Sequence, residues 1–324
     1  MASSTPSKPA PSLPRPEDIK LIVCDVDGTL LTSSHKLHPK TISAVLHIRK
    51  TRPDLPVIIA SGKQLNSCEW IREALQIQGF PSIHCNGAVS YHFREPSTTS
   101  PSSDSIANPP TATAPRVFKE HSLEPSVVLS VVQALSALDR AIFLFLRDEA
   151  LYINAEKRDG APDWLEVASA YDKFVVDVTG EKERKETLEK VGKGELKIVK
   201  ITVVCGLENV EATRTEFLKF PPGSFIYTRA IPNILELLVP GTDKLVALRE
   251  LCESLKISLD NVCAFGDGDN DFGMLSQARY GVAMGNGMES ALSAAGYRTG
   301  TNDEGGVGLW LGKVFGANED GSHE

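Results

Sequence analysis

The sequence predicts an α/β protein whose core is a parallel sheet with helices on both faces, and into which a second, α+β unit is inserted. Three observations carry this reading. Apolar runs of strand length alternate with helix-period segments at both ends of the chain, as strand–crossover–strand units require. Three of those runs end abruptly in acids or in a Ser beside a Gly, and the carboxyl edge of such sheets is where ligands bind. Between the two blocks lies a stretch of strands and helices with no acid cluster of its own.

The elements follow in order. Residues 1–16 are rich in Ser and Pro, lack the apolar centre of a secretory signal, and read as a disordered tail. Leu21-Ile22-Val23-Cys24 is the first strand and runs into Asp25-Val26-Asp27-Gly28-Thr29-Leu30. Over 39–50, Ile42, Val45, Leu46 and Ile48 recur close to a helical stripe. Residues 55–60 form the second strand, which ends in Ser61-Gly62-Lys63 ahead of a helix bearing Leu65, Cys68, Ile71 and Leu75. Ser61 stands where a helix N-cap would, a role compatible with phosphate binding at a helix start. Two short strands flank a turn at Asn86-Gly87. Residues 94–116 are dense in Ser, Thr and Pro, cannot build a core, and read as a disordered insertion.

From 117 to about 227 the pattern restarts, with helices expected over 125–138, 163–170, 181–191 and 208–218 and strands over 141–146, 151–153, 174–178 and 197–205. The parallel-sheet pattern resumes with a strand over 234–239, then a helix over 243–256 that opens with Lys244. The buried strand Val262-Cys263-Ala264-Phe265 runs into Gly266-Asp267-Gly268-Asp269-Asn270-Asp271, and 280–284 is the last core strand. A helix over 288–295 follows Gly285-Asn286-Gly287. The expected division is a tail at 1–16, a discontinuous core at 17–88 and 229–316, an inserted unit at 89–228 that contains the 94–116 insertion, and a frayed tail at 317–324.

Composition narrows the function. A chain of 324 residues accommodates roughly two domains. The net charge of -8 argues against nonspecific binding to nucleic acid or anionic membrane. No apolar stretch reaches the roughly 20 residues of a membrane span. The six Cys show no Cys-x-x-Cys pairing, so neither a zinc site nor a disulfide framework is expected, and a reducing, cytoplasmic compartment fits.

If the three strands share one sheet, Asp25, Asp27, Ser61, Asp267, Asn270 and Asp271 gather on its carboxyl edge, with Lys244 beside them. Carboxylates at one point with a Lys and a hydroxyl at another suit a Mg²⁺ ion and a phosphoryl group. A calcium loop is excluded, because counting from Asp267 puts Phe272 and Ala278 where Gly and an acid are needed. Gly285-Asn286-Gly287 is a tight strand-to-helix turn rather than a dinucleotide fingerprint.

These pieces resemble, in order and in strand context, the haloacid dehalogenase superfamily of phosphohydrolases. Asp25 to Leu30 is similar to its first motif, Ser61 to its second, Lys244 to its third and Gly266 to Asp271 to its fourth. Asn86-Gly87-Ala88, 281–286 and 302–307 are similar to patterns of the Cof-like subgroup, whose C2-type cap lies between the second and third motifs. Lys63 departs from the usual Arg and Gly287 from the usual Ala, departures read as lying outside the chemistry. The resemblance implies a Rossmann-like core and a Mg²⁺-dependent phosphatase acting on a small phosphorylated metabolite, such as a sugar phosphate. It implies that Asp25 is the nucleophile that becomes an aspartyl-phosphate, and Asp27 the general acid and base. Mg²⁺ would rest on Asp25, the Asp27 main-chain carbonyl and Asp267. Ser61, Gly62, Lys244 and Asn270 would grip the phosphoryl group, and Asp271 would orient Lys244 or a metal-bound water. Two alternatives stand beside this reading. A hexose phosphomutase would use the same aspartyl-phosphate, but the inserted unit offers few Arg (Arg147, Arg158) for a second phosphate. A non-catalytic metabolite-binding protein would be expected to lack the acids and the Lys that are present.

Overall fold

The computed structural model describes residues 12–92, 115–156, 160–171, 174–231 and 233–316. The reading of a frayed tail at 317–324 therefore lies outside the described residues, as do 1–11 of the first tail and 94–114 of the insertion. In chain order the elements are β1 (Leu21–Cys24), α1 (Pro39–Thr51), β2 (Val57–Ile59), α2 (Leu65–Ala74), β3 (Ser82–His84), β4 (Val89–His92) and β5 (Arg116–Glu120). Next come α3 (Pro125–Ser136), β6 (Ala141–Phe145), β7 (Ala150–Asn154), α4 (Trp164–Tyr171), β8 (Val175–Asp177), α5 (Glu181–Gly192), β9 (Lys200–Val204) and α6 (Val210–Phe217). The chain continues through β10 (Ile226–Ile231), β11 (Ile234–Leu238), α7 (Lys244–Leu255), β12 (Val262–Gly266), α8 (Phe272–Gln277), β13 (Tyr280–Ala283), α9 (Glu289–Ala294), β14 (Tyr297–Arg298) and α10 (Gly306–Phe315).

The core sheet runs β14-β13-β12-β1-β2, and every neighbouring pair is parallel. Alternate side chains of β1 leave on opposite faces, as the pleat dictates. Ile22 and Cys24 pack with Val45, Ile48, Ile71 and Trp310 of α1, α2 and α10. Leu21 and Val23 pack with Leu248, Leu251, Met274 and Ala291 of α7, α8 and α9. Both faces are covered, which is why these strands read as unbroken apolar runs.

The second large sheet runs β10-β11-β9-β6-β7-β8, antiparallel except where β8 joins β7. One face carries Ile142, Leu144, Ile201, Val203, Leu235 and Leu237 onto α3, α5 and α6, where Val131, Leu135, Val191 and Phe217 are buried. The opposite face looks towards the carboxyl edge of the core sheet.

The structure differs from several local readings. The strand expected to resume the parallel core at 234–239 is β11, which lies antiparallel between β9 and β10 in the second sheet. Glu236 in mid-strand is the physical reason, since a core strand covered on both faces has no room for a carboxylate, whereas a one-face strand does. The 88/89 boundary falls inside a separate three-stranded antiparallel sheet, β3-β4-β5. Finally, Arg116, read as the end of the insertion, opens β5, and Pro16, read as tail, opens a 3₁₀ turn.

Gly87 holds φ at +99°, and a Cβ there would run into the Asp243 carbonyl, immediately before Lys244. Gly87→Ala therefore faces both backbone strain and a backbone clash, and a loss of about 1–3 kcal/mol in urea unfolding is expected.

Candidate active site

The first strand delivers Asp25 to the sheet edge, where it is buried and its backbone N–H donates to Phe265 O at 3.0 Å. The chain then turns at Gly28, with φ +78°, because a Cβ there would strike the Asp267 carboxylate. Thr29 Oγ1 donates to Asp267 Oδ1 at 2.8 Å and fixes that acid opposite Asp25. The turn is tied from behind by Asn286 Nδ2 donating to Gly28 O and Asn302 Nδ2 donating to Leu31 O, both at 2.8 Å.

Lys244 is the first residue of α7, which Asp243 caps by accepting the Val246 N–H at 2.7 Å. Its side chain is fully buried, and Nζ donates to Asp25 Oδ1 at 2.5 Å and to Asp271 Oδ1 at 2.6 Å. Burial alone would lower the Lys244 pKa, but the two carboxylates together outweigh it and hold the ammonium charged. Asp25 moves the other way. Burial pushes its pKa well above the usual carboxylate range, Lys244 opposes this, and Asp271 and Asp267 add repulsion. Asp267 is pushed up to about 6, by burial first, against the Thr29 hydrogen bond.

Asp25, Asp267 and Asp271 place ligand oxygens within 4.8 Å of one another, so the cluster can hold a cation. Asp271 is the least suited to ligate directly. Its Oδ1 already accepts from Lys244, and its Oδ2 accepts the N–H groups of Asp267 (2.9 Å) and Gly268 (3.0 Å). Asp25 and Asp267 are better placed, because a cation between them would favour the ionised form of two carboxylates that burial holds towards protonation.

A cavity of about 820 Å³ opens over this floor. Of the residues singled out by sequence, Asp25, Asp27, Gly62, Asp267 and Asn270 line it, whereas Ser61, Lys244 and Asp271 sit buried beneath. Asp27 is half exposed, with Lys63 Nζ 3.3 Å and His35 Nδ1 4.0 Å away. Lys63, read as lying outside the chemistry, is therefore the cation paired with Asp27. Ser61 is not a helix N-cap: α2 starts at Leu65 with Gln64 in the cap position, and Ser61 Oγ instead accepts the Lys63 N–H at 3.1 Å. Arg147 is bound to Asp148 and Glu120, and Arg158 lies outside the described residues.

Two residues at the site, Lys200 and Glu236, were not singled out, and a third was read only as part of a turn and of the Cof-like pattern. Asn86, read as a turn residue, adopts left-handed φ (55°) and its Oδ1 accepts from Asn270 Nδ2 at 3.0 Å. Lys200 and Glu236 project from the second sheet into the cavity roof. For Glu236 a signal was available, since it is a charged residue inside a strand otherwise apolar, whereas Lys200 opens a strand that also carries Thr202 and stands out less. The rest of the roof is the alternating face of that sheet, with Phe143, Phe145 and Val204, joined by Trp164 and Val167 of α4.

The chain is similar to known proteins over most of its length. The family model described as haloacid dehalogenase-like hydrolase matches residues 22–104 and 111–311. An uncharacterised hydrolase of Schizosaccharomyces pombe is 31% identical over 313 residues, 95% of each chain. A Bacillus subtilis 5-amino-6-(5-phospho-D-ribitylamino)uracil phosphatase is 25% identical over 297 residues, covering 91% of this chain and 97% of its own. The crystal structure of a haloacid dehalogenase-like hydrolase from Bacteroides thetaiotaomicron shares the fold with a TM-score of 0.73 at 22% identity, over 91% of this chain and 99% of that one. Among the described residues no helix is long and apolar enough to cross a membrane.

In metal-free buffer the site has a pH signature. Asp267 binds its proton more tightly folded than unfolded, so stability falls as pH rises from about 4 through 6. Asp267→Asn removes that penalty. Urea unfolding in EDTA should show the variant gaining up to about 3 kcal/mol above pH 6 and nothing near pH 3.

Proposed function

The chain belongs to the haloacid dehalogenase-like hydrolases, and we propose that it is a Mg²⁺-dependent phosphatase that hydrolyses a small phosphomonoester through a phosphorylated Asp25. One observation carries the reading. A buried carboxylate, Asp25, touches a fully buried Lys244 and faces a second raised acid, Asp267, on the floor of a metabolite-sized cavity. A solely structural Lys–Asp pair needs neither the third acid nor the opening.

In this reading Asp25 attacks phosphorus and the bond to the leaving oxygen breaks, while Asp27, half exposed beside Lys63, gives that oxygen a proton. Asp27 then takes a proton from the water that attacks the aspartyl-phosphate, releasing phosphate and restoring Asp25. Lys244, Ser61, Asn270 and the Gly62 N–H hold the phosphoryl oxygens as charge spreads over them. Asp271 keeps Lys244 and the 267–268 peptides in place through the three hydrogen bonds it accepts. Asp25, Asp267 and the Asp27 main-chain carbonyl would hold Mg²⁺, which supplies the positive charge that lets one anion approach another.

The roof suits a leaving group with a flat or apolar portion, since Phe143, Phe145, Trp164, Val167 and Val204 face it. Esters with a ring therefore join sugar phosphates as candidates, and the phosphorylated ribitylaminouracil named for the Bacillus subtilis relative is the first to try. Hydrolysis is favoured over a mutase because Lys200 is the one cation that the described roof brings to the cavity, and it is already paired with Glu236.

The test is phosphate release from a panel of phosphorylated metabolites, with and without Mg²⁺, for the wild type and Asp25→Asn. Release that requires Mg²⁺ and falls to background in the variant is expected. Hexose phosphate isomerisation without release would favour the mutase, and inactivity in both assays the binding protein. Within the panel, Phe143→Ala should raise KM for ring-bearing esters about 10-fold more than for glycerol phosphate.

A further inference from the structure

The roof and the floor are joined by a hydrogen-bonded relay that none of the roles above requires. On the second sheet Lys200 and Glu236 lie on one face of the neighbouring strands β9 and β11, where Leu238 pairs with Lys200 and Glu236 with Thr202. Lys200 Nζ donates to Glu236 Oε1 at 2.7 Å, and both side chains are nearly buried, at 7% and 13% exposure. The ammonium stands 4.3 Å from the centre of the Phe145 ring. From there it reaches out of its own sheet and donates to the carbonyl of Gly62 at 3.3 Å. Glu236 Oε2 accepts from Asn86 Nδ2 at 3.4 Å, and Asn86 Oδ1 accepts from Asn270 Nδ2 at 3.0 Å. Asn86 is also bound to the loop below, its N–H donating to Ser61 O at 3.0 Å. Gly62 is closely packed there too, for a Cβ on it would sit 3.2 Å from Asn86 Oδ1.

We propose that Lys200 and Glu236 are positioning residues for phosphoryl transfer, setting the Gly62–Lys63 peptide, and with it the Ser61 hydroxyl, and the Asn86–Asn270 amides whenever the second sheet is seated over the site. The inference rests on the phosphatase reading for what these groups grip, but its geometry concerns the loop alone. A charged donor on the Gly62 carbonyl fixes the plane of the Gly62–Lys63 peptide, whose N–H donates to Ser61 Oγ at 3.1 Å and so orients that hydroxyl. A carboxylate on Asn86 Nδ2 fixes which way that amide points, and hence which face Asn270 offers to the cavity. Burying an ion pair here is costly unless geometry and extra hydrogen bonds offset the desolvation. The relay supplies those bonds, and they lead to the phosphoryl-binding loop rather than into solvent.

The experiment is a double-mutant cycle with Lys200→Met, Glu236→Gln and the double variant, which removes both charges together and avoids an orphaned buried ion. Two quantities are read: the affinity for orthovanadate in Mg²⁺ buffer by calorimetry, and kcat and KM across the ester panel. Each single variant should weaken orthovanadate by about 10-fold to 10²-fold, and lower kcat by a similar factor for every ester alike. The double variant should lose less than the product of the two. Orthovanadate affinity equal to wild type overturns the inference, whatever happens to the unfolding midpoint, because the pair would then only pin the sheet. A loss confined to particular esters, with orthovanadate unaffected, also overturns it, since the pair would be reading the leaving group. If the wild type hydrolyses no ester, the phosphatase reading fails, while orthovanadate affinity still decides the positioning role.

Discussion

Everything at the carboxyl edge of the core sheet depends on one buried ammonium. Lys244 lies between Asp25 and Asp271 with no exposed surface, and it is the only positive charge within hydrogen-bonding reach of either among the described residues. Three carboxylates within 4.8 Å would otherwise be untenable in so dry a place. The ammonium can hold its position because the helix that carries it begins there. Asp243 caps that helix, and Gly87 clears the space for the cap's carbonyl. Local backbone devices of modest energy thus fix a charge arrangement that is expensive to misplace.

The pleat explains why two sheets of different character can share one site. In the core sheet both faces are covered by helices, and only strand ends are free to present polar groups. In the second sheet helices cover one face, so the other is left to line a cavity with every second residue. Carboxylates therefore stand at the ends of strands below, and mostly aromatic and apolar side chains on the flanks of strands above.

Much of this was legible in the chain. The parallel core, its helices and the gathering of Asp25, Asp267 and Asp271 follow from apolar runs that stop at acids. Lys244 was legible by resemblance rather than by pattern, since an isolated Lys at a helix start is ordinarily solvent-facing. What the pattern misassigned was β11, an apolar run whose membership depends on a single Glu236 and on pairing partners distant in sequence. Asn86 was named by the resemblance but its contacts with Asn270 and Glu236 were not foreseen: Asn-Gly marks a turn, and nothing local says that the turn faces a cavity. Lys63 and Ser61 show the limit of motif reading, which names positions without showing which neighbour each side chain will meet.

The inserted unit leaves and rejoins the core at adjacent points. His121 N–H donates to Ala88 O at 2.8 Å, and Gly87 abuts the carbonyl of Asp243. The chain therefore departs after β5 and returns before α7 within one small neighbourhood, beside the Lys on which the acids depend. A segment joined in this way can be exchanged as a cassette, because its replacement need match only those two crossings. Such a replacement would change the face over the cavity while Asp25, Asp267 and Asp271 stayed as they are, and only a roof that kept Lys200 and Glu236 would keep the hydrogen bonds to Gly62 and Asn86.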